Sequence, residues 1–225
     1  YKNSQIWCNS YYLGKRPNGY VPVDYDISSI ACFGEQENQI TVKVVHTDLA
    51  DSRWFTGSGI TRKAYILIEE PVHPVPYGIF FSTLYDDGGR SAQVEISHKL
   101  INETGKTVKA AITSSLTAPT GRKVLEVSSL VELEPGRPET VVLSGSVQEP
   151  RLWSPESPAL YTLTTGLSVD GAAPYRVYEN PVGIRTFRFD PDKGFFLNGR
   201  SMKLKGVCVH HDAGCLGAAV TREVW

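Results

Sequence analysis

Three consecutive ionisable residues, His210-His211-Asp212, close a short stretch, residues 202–209, that reads as a strand. A neutral imidazole both donates to and accepts from hydroxyl groups, and a carboxylate accepts two hydroxyl protons. The C-terminal end of a parallel strand is also where an α/β barrel gathers its polar side chains. A second set stands far upstream, in the long loop of residues 47–62. There Asp51, Arg53 and Trp54 offer an acceptor, a forked donor and a stacking face, the groups that hold a sugar ring. Connections of this length are functional or disordered, and the aromatic side chains argue for order. Each residue also has a plainer reading. The histidines could be a satisfied polar pair, Arg53 and Arg62 partners of nearby acids, and Trp54 a packing group.

Other clusters are less promising. Cys208 and Cys215 flank the two histidines, but their spacing fits none of the usual zinc patterns. The four cysteines, Cys8, Cys32, Cys208 and Cys215, read as thiols, and no metal site is expected. The carboxylate pairs Glu69-Glu70 and Asp86-Asp87 fall in a linker and a turn and read as solvated.

The elements that would carry these groups are almost all strands. Residues 39–46 alternate, with Ile40, Val42 and Val44 on one side, as a half-buried strand does. Residues 64–68 read as another strand, and residues 6–9 as a third. Pro71, Pro74 and Pro76 mark a linker over residues 71–77, because proline cannot feed a central ladder. Residues 79–85, 92–101, 107–117, 124–133, 139–147, 160–169 and 174–180 are strand candidates, separated by turn signals such as Pro119-Thr120-Gly121 and Pro135-Gly136. About seven short strands so punctuated predict an immunoglobulin-like sandwich. A strand over residues 183–189, a turn at Asp190-Pro191-Asp192-Lys193-Gly194 and a small hairpin turned at Asn198-Gly199 follow. Asn-Gly is the dipeptide that favours a type I′ turn.

Three ordered motifs then point to a family. Val182-Gly183-Ile184-Arg185 with Phe187, followed by Phe196-Leu197-Asn198-Gly199, Lys205-Gly206 and His210, is the first. Leu152-Trp153-Ser154-Pro155-Glu156 with Pro158, Leu160 and Tyr161 is the second, and Ser52-Arg53-Trp54 with Gly57-Ser58-Gly59-Ile60 and Arg62 the third. Together they resemble glycoside hydrolase family 2, which includes β-galactosidases, β-glucuronidases and β-mannosidases. The resemblance implies a mainly β chain. Residues 1–70 would be the C-terminal part of a jelly-roll sugar-binding domain, 71–77 a linker, 78–189 the sandwich, and 190–225 the start of a (β/α)8 barrel, a TIM barrel cut short. It implies a retaining exo-β-glycosidase, most like a β-galactosidase, with Asp51, Arg53, His210, His211 and Asp212 as substrate-binding residues. Ser10 departs from the family's usual Gly in an early turn, and Cys208-Val209 departs from its common Asn-Arg or Asn-Lys, which weakens transfer of a particular sugar preference.

Retaining glycosidases use two carboxylates about 5–5.5 Å apart. Asn102-Glu103 matches the family's acid/base dipeptide but falls in a hairpin turn of the sandwich, and position decides the role. No catalytic residue is therefore assigned, and the 225 residues alone are expected to be inactive. No organic cofactor is implied, although a Mg²⁺ or Na⁺ ion elsewhere in the barrel fits the family. The expected partners are a carbohydrate substrate and further copies of the complete protein. A formal net charge of −1 gives no electrostatic case for nucleic acid, and no apolar run has the length of a membrane span. A non-catalytic carbohydrate-binding sandwich protein is the reading outside enzymology.

Overall fold

The computed structural model describes residues 2–47, 57–85, 90–210 and 213–224. The chain divides into two compact units, residues 1–66 with 206–225, and residues 67–205.

The first unit holds a three-stranded antiparallel sheet of β1 (Ser4–Cys8), β2 (Tyr11–Arg16) and β3 (Ile40–Val44), in the order β2-β1-β3. Asn9 and Ser10 turn the first hairpin with φ of 48° and 71°, both left-handed. That region disfavours side chains, so Ser10 sits where glycine would be unstrained. Asn9 fixes the turn. Its Nδ2 donates to the Ile30 carbonyl at 2.9 Å and to Asn38 Oδ1 at 2.8 Å, and its Oδ1 accepts from the Gln39 amide at 2.9 Å. Residues 64–68, expected as a strand, join no ladder among the described residues, and Tyr65 and Ile66 are exposed.

The second unit is the expected sandwich. One sheet contains β4 (Val72–Tyr85), β5 (Ser91–Asn102) and β8 (Glu139–Gln148), in the order β4-β5-β8. The other contains β6 (Val108–Thr117), β7 (Lys123–Leu133), β9 (Tyr161–Val169) and β10 (Arg176–Val182), in the order β10-β9-β6-β7. Period-2 alternation decides which residues enter the core. Ala92, Val94, Ile96 and Leu100 of β5 face Ile112 and Leu116 of β6 and Leu163 and Leu167 of β9, all essentially inaccessible to water. Burying each large aliphatic side chain stabilises the fold by about 1.5–3 kcal/mol.

The linker expectation needs correction, because β4 begins at Val72 and runs through Pro74 and Pro76. Proline is tolerated here because β4 is an edge strand and the ladder to β5 is interrupted between Pro74 and Ile79. Gly78 lies in that interruption. A Cβ there would come within 2.6 Å of the Lys99 and Val75 carbonyl oxygens. Glu69 is likewise not solvated. Tyr178 Oη donates to its carboxylate at 2.9 Å, and Arg176 Nε lies 3.5 Å away. Burial and the carboxylates of Glu70 and Glu69 push the nearby Tyr175 phenol up to about 12.

After the sandwich comes a three-stranded meander of β11 (Phe187–Asp190), β12 (Gly194–Leu197) and β13 (Arg200–Ser201). Both expected turns form. Asp190 Oδ1 accepts from the amides of Asp192 and Lys193, which holds its carboxyl below the usual carboxylate range. Asn198 and Gly199 take φ of 49° and 78°, as a type I′ turn requires.

Residues 183–189 are not one strand. β10 stops at Val182 and β11 starts at Phe187, because the intervening residues bond elsewhere. Gly183 lies against Trp153, where a Cβ would be 3.1 Å from the Trp153 Cβ. The Trp153 amide donates to the Ile184 carbonyl at 2.8 Å, and the Arg185 guanidinium sits 4.8 Å from the Trp153 ring centroid. Asn198 closes the staple. Its Oδ1 accepts from the Thr186 amide at 3.1 Å, and its Nδ2 donates to the Trp153 carbonyl at 3.0 Å. Residues from two of the three sequence motifs therefore meet here to fix backbone geometry.

Candidate functional site

Of the five residues expected to touch a ligand, the structure describes His210. It is exposed, at the end of residues 202–210, which pair with no other strand among the described residues. A barrel strand takes its ladder from parallel neighbours, and no described segment supplies one. Asp51, Arg53, His211 and Asp212 lie outside the described residues, as does Trp54.

The described residues around these positions belong to one unit and form defined contacts. His46 and Ser58 stand on either side of the segment containing Asp51 and Arg53, and His46 Nδ1 and Ser58 Oγ share a hydrogen bond of 2.9 Å. Four residues on, Arg62 Nη1 donates to its neighbour's carbonyl, Thr61 O, at 3.0 Å and to Ala218 O at 3.1 Å. Arg62 thus bonds two backbone carbonyls, where the sequence offered an acidic neighbour. Ala218 is buried. Residues 213–219 fold back on themselves, with Ala213 N donating to Gly217 O at 3.1 Å and Leu216 N to Ala213 O at 3.0 Å. A short 3-10 turn, Gly214–Leu216, and another, Arg222–Val224, complete the segment.

The remaining candidates resolve into structural roles. Asn102 is fully buried. Its Nδ2 donates to the Lys106 and Leu133 carbonyls, each at 2.8 Å, and its Oδ1 accepts from the Thr104 amide and hydroxyl. Glu103 beside it is exposed in the turn between β5 and β6. All four cysteines carry free thiols, and Cys208 and Cys215 are exposed. Among the described residues no three His, Cys, Asp or Glu side chains gather as metal ligands would, and no helix is long and apolar enough to cross a membrane.

Two further features have no counterpart in the sequence reading. A groove of about 700 Å³ opens between the edge strands β4 and β10, lined by Phe80, Ser82, Trp153, Asn180, Arg185 and Phe187. Every residue lining it belongs to the unit of residues 67–205. Inside the sandwich, His98 Nε2 lies 3.0 Å from Ser114 Oγ and 3.3 Å from Thr165 Oγ1, and the two hydroxyls are 2.9 Å apart. All three residues are buried. Burial lowers the His98 pKa from its ordinary value, against the smaller opposing effect of the Val141 and Ile96 carbonyls. A signal for this network was present, since each residue sits between aliphatic neighbours at an inward position of its strand.

The model of the family described as Glycosyl hydrolases family 2 matches residues 77–185. Over its whole length the chain is 38% identical to a β-galactosidase of Bacteroides ovatus, of which it covers 26%. It is also 32% identical, again over its whole length, to a putative β-glucuronidase of Formosa agariphila, of which it covers 20%. Among solved structures, a β-glycosidase from Bacteroides vulgatus matches all of the chain with a TM-score of 0.84 at 40% identity, the match covering 27% of that structure. The chain thus spans about a quarter of the length of the proteins it matches.

Proposed function

Since this chain belongs to family 2 of the glycosyl hydrolases, we propose that it is the sugar-binding and sandwich portion of a longer retaining exo-β-glycosidase acting on terminal β-galactosides. The observation that carries the reading is the 38% identity to a β-galactosidase across every residue of the chain, not across the sandwich alone. In this reading residues 1–70 are the end of a jelly-roll and residues 202–209 the first barrel strand.

Hydrolysis with retention proceeds in two displacements. One carboxylate attacks the anomeric carbon while a second protonates the leaving oxygen, and the second then activates water against the glycosyl-enzyme. Neither carboxylate is assigned to these 225 residues. Their part is to hold the terminal sugar. Asp51 would accept a hydroxyl proton, Arg53 would donate to ring hydroxyls or order its loop, and His210, His211 and Asp212 would bind from the strand end. Hydrogen bonds that strengthen as the oxocarbenium ion develops lower the barrier, whereas those equal in both states lower only KM.

The similarity to a putative β-glucuronidase favours a second reading, in which the same architecture takes a terminal glucuronide. A panel of aryl β-glycosides on the complete protein separates them. Highest kcat/KM on the galactoside supports the proposal, and highest kcat/KM on the glucuronide replaces the substrate but keeps the mechanism. No turnover of galactoside, glucuronide or mannoside refutes the proposal, and turnover by the isolated 225 residues would refute the division of labour.

A further inference from the structure

We infer that the exposed apolar surface formed by Phe80, Leu84, Phe187 and Phe189 is an internal docking face, covered in the complete protein by polypeptide that follows residue 225. The inference rests on the reading above of the chain as part of a longer protein.

Every residue of this surface belongs to the unit of residues 67–205. Phe187 joins its parts. It lines the groove of about 700 Å³ with Phe80, and a smaller hollow of about 250 Å³ with Leu84 and Phe196. Its ring also lies 6.3 Å from that of Phe189 and 6.4 Å from that of Phe195, and the rings of Phe189 and Phe195 are 5.2 Å apart. Phe189 and Phe195 are partners across the β11–β12 ladder, and Phe187 stands two residues before Phe189, so the three rings share one face of the meander. Phe80 is 66% exposed, Leu84 73%, Phe187 61% and Phe189 69%. At about 150–250 Å² per aromatic side chain, the three exposed phenylalanines alone present roughly 300–500 Å², the size at which an apolar patch marks an interaction surface.

The folding of the sandwich itself does not call for these side chains. Phe80 and Leu84 occupy outward positions of β4, opposite Ser97 and Gln93 of β5, where alternation places polar residues. β4 is an edge strand, and its residues 79–85 include neither a charge nor a proline. Edges that face water are ordinarily blunted by such residues, so this one is built for a covered position.

The occupant follows from the chemistry of the patch and the extent of the chain. The exposed rings are phenylalanines, without the polar tip that lets tyrosine and tryptophan serve in contacts that are alternately wet and dry. Such rings favour permanent burial over reversible stacking on a sugar. Ser82, Asn180 and Arg185 line the groove beside them, a polar border of the kind that surrounds the apolar centre of an interface. The chain spans about a quarter of the length of the proteins it matches, and in the reading above a barrel of roughly 250 residues continues beyond it. A covalently attached segment acts at an effective concentration on the order of millimolar, which places it ahead of a second copy or a free partner.

Hydroxyl-radical footprinting of the complete protein tests this, with oxidation of each residue referred to the urea-denatured chain. The expected result is loss of oxidation at Phe80, Leu84, Phe187 and Phe189 in the folded protein, unchanged on dilution. Oxidation there at the rate of the denatured chain would overturn the inference. So would protection that fades on dilution, as a second copy would give, or protection that requires added lactose. Phe189 replaced by the photo-crosslinking analogue p-benzoyl-L-phenylalanine identifies the occupant directly, and the footprint of the unmodified protein decides if that variant does not fold. The crosslink should map to a peptide beyond residue 225 of the same chain; one within residues 1–225, one to a second chain, or none overturns the inference. An intact mass of the natural protein no greater than that of these 225 residues refutes the longer-protein reading itself, whereas freely oxidised phenylalanines in a protein several times longer refute this inference alone.

Discussion

Replacing His98 by leucine should change how the sandwich responds to acid. The imidazole sits at an inward position of β5 between Ile96 and Leu100, with Ser114 and Thr165 as its hydrogen-bonding neighbours. Its Nδ1 is buried without a side-chain or backbone hydrogen bond of ordinary geometry, and among the described residues no charged side chain is buried around it. A positive charge at this position is therefore disfavoured, and burial holds the pKa below its ordinary value of 6.5. The unfolded chain binds a proton near pH 6.5 while the folded chain does not. Stability is unaffected well above that value, falls as pH drops through it, and goes on falling until the acidity reaches the lower folded pKa. If only the unfolded state takes up the proton, the loss between pH 7.5 and 5.5 is about 1.4 kcal/mol. In His98→Leu this component disappears. Ser114 and Thr165 keep their mutual bond of 2.9 Å, so no hydroxyl is orphaned. The variant should lie within about 1.5 kcal/mol of wild type at pH 7.5. Guanidinium chloride unfolding followed by circular dichroism at pH 7.5, 6.5 and 5.5 measures both chains. The stability gap should move in favour of leucine on acidification, by no more than about 1.4 kcal/mol. Parallel pH dependences would refute the assignment of a buried neutral imidazole.

Two other outcomes are expected. Asn198→Ala removes the bonds to the Thr186 amide and the Trp153 carbonyl, and should lower stability by about 2–3 kcal/mol in a thermal or chemical melt; an unchanged melt would mean that the meander is not stapled through this residue. His210→Ala in the complete protein should reduce kcat/KM for an aryl β-galactoside on the order of 10²-fold, and an unchanged value removes His210 from the site.

The sandwich was legible because its central strands β5, β6 and β9 each carry one buried face, and period-2 alternation is clear where inward positions are mostly aliphatic. The Asn198-Gly199 turn was legible for a local reason, since its backbone angles suit few other residues. The linker reading failed at Pro74 and Pro76 because proline excludes a central strand but not an edge strand, and edge position is a property of the whole sheet. Residues 183–186 failed as a strand because Gly183 and Ile184 are fixed by Trp153, about thirty residues away in sequence, which no local pattern encodes. Glu69 read as solvated for the same reason, its partners Tyr178 and Arg176 being distant in sequence. His98, Ser114 and Thr165 were readable as a network, each being the polar residue at an inward position. Arg62 was visible as part of a motif, but its acceptor is a backbone carbonyl, and residue types cannot indicate which carbonyl a side chain will meet.

The most direct test of the central claim is the location of the covalent glycosyl-enzyme. The complete protein would be trapped with an activated 2-deoxy-2-fluoro-β-galactoside, digested and mapped by mass spectrometry. One label is expected, on a carboxylate outside these 225 residues, and none on Glu103. A label on Glu103 or on any other carboxylate within them would contradict the assignment of this region to sugar binding and architecture.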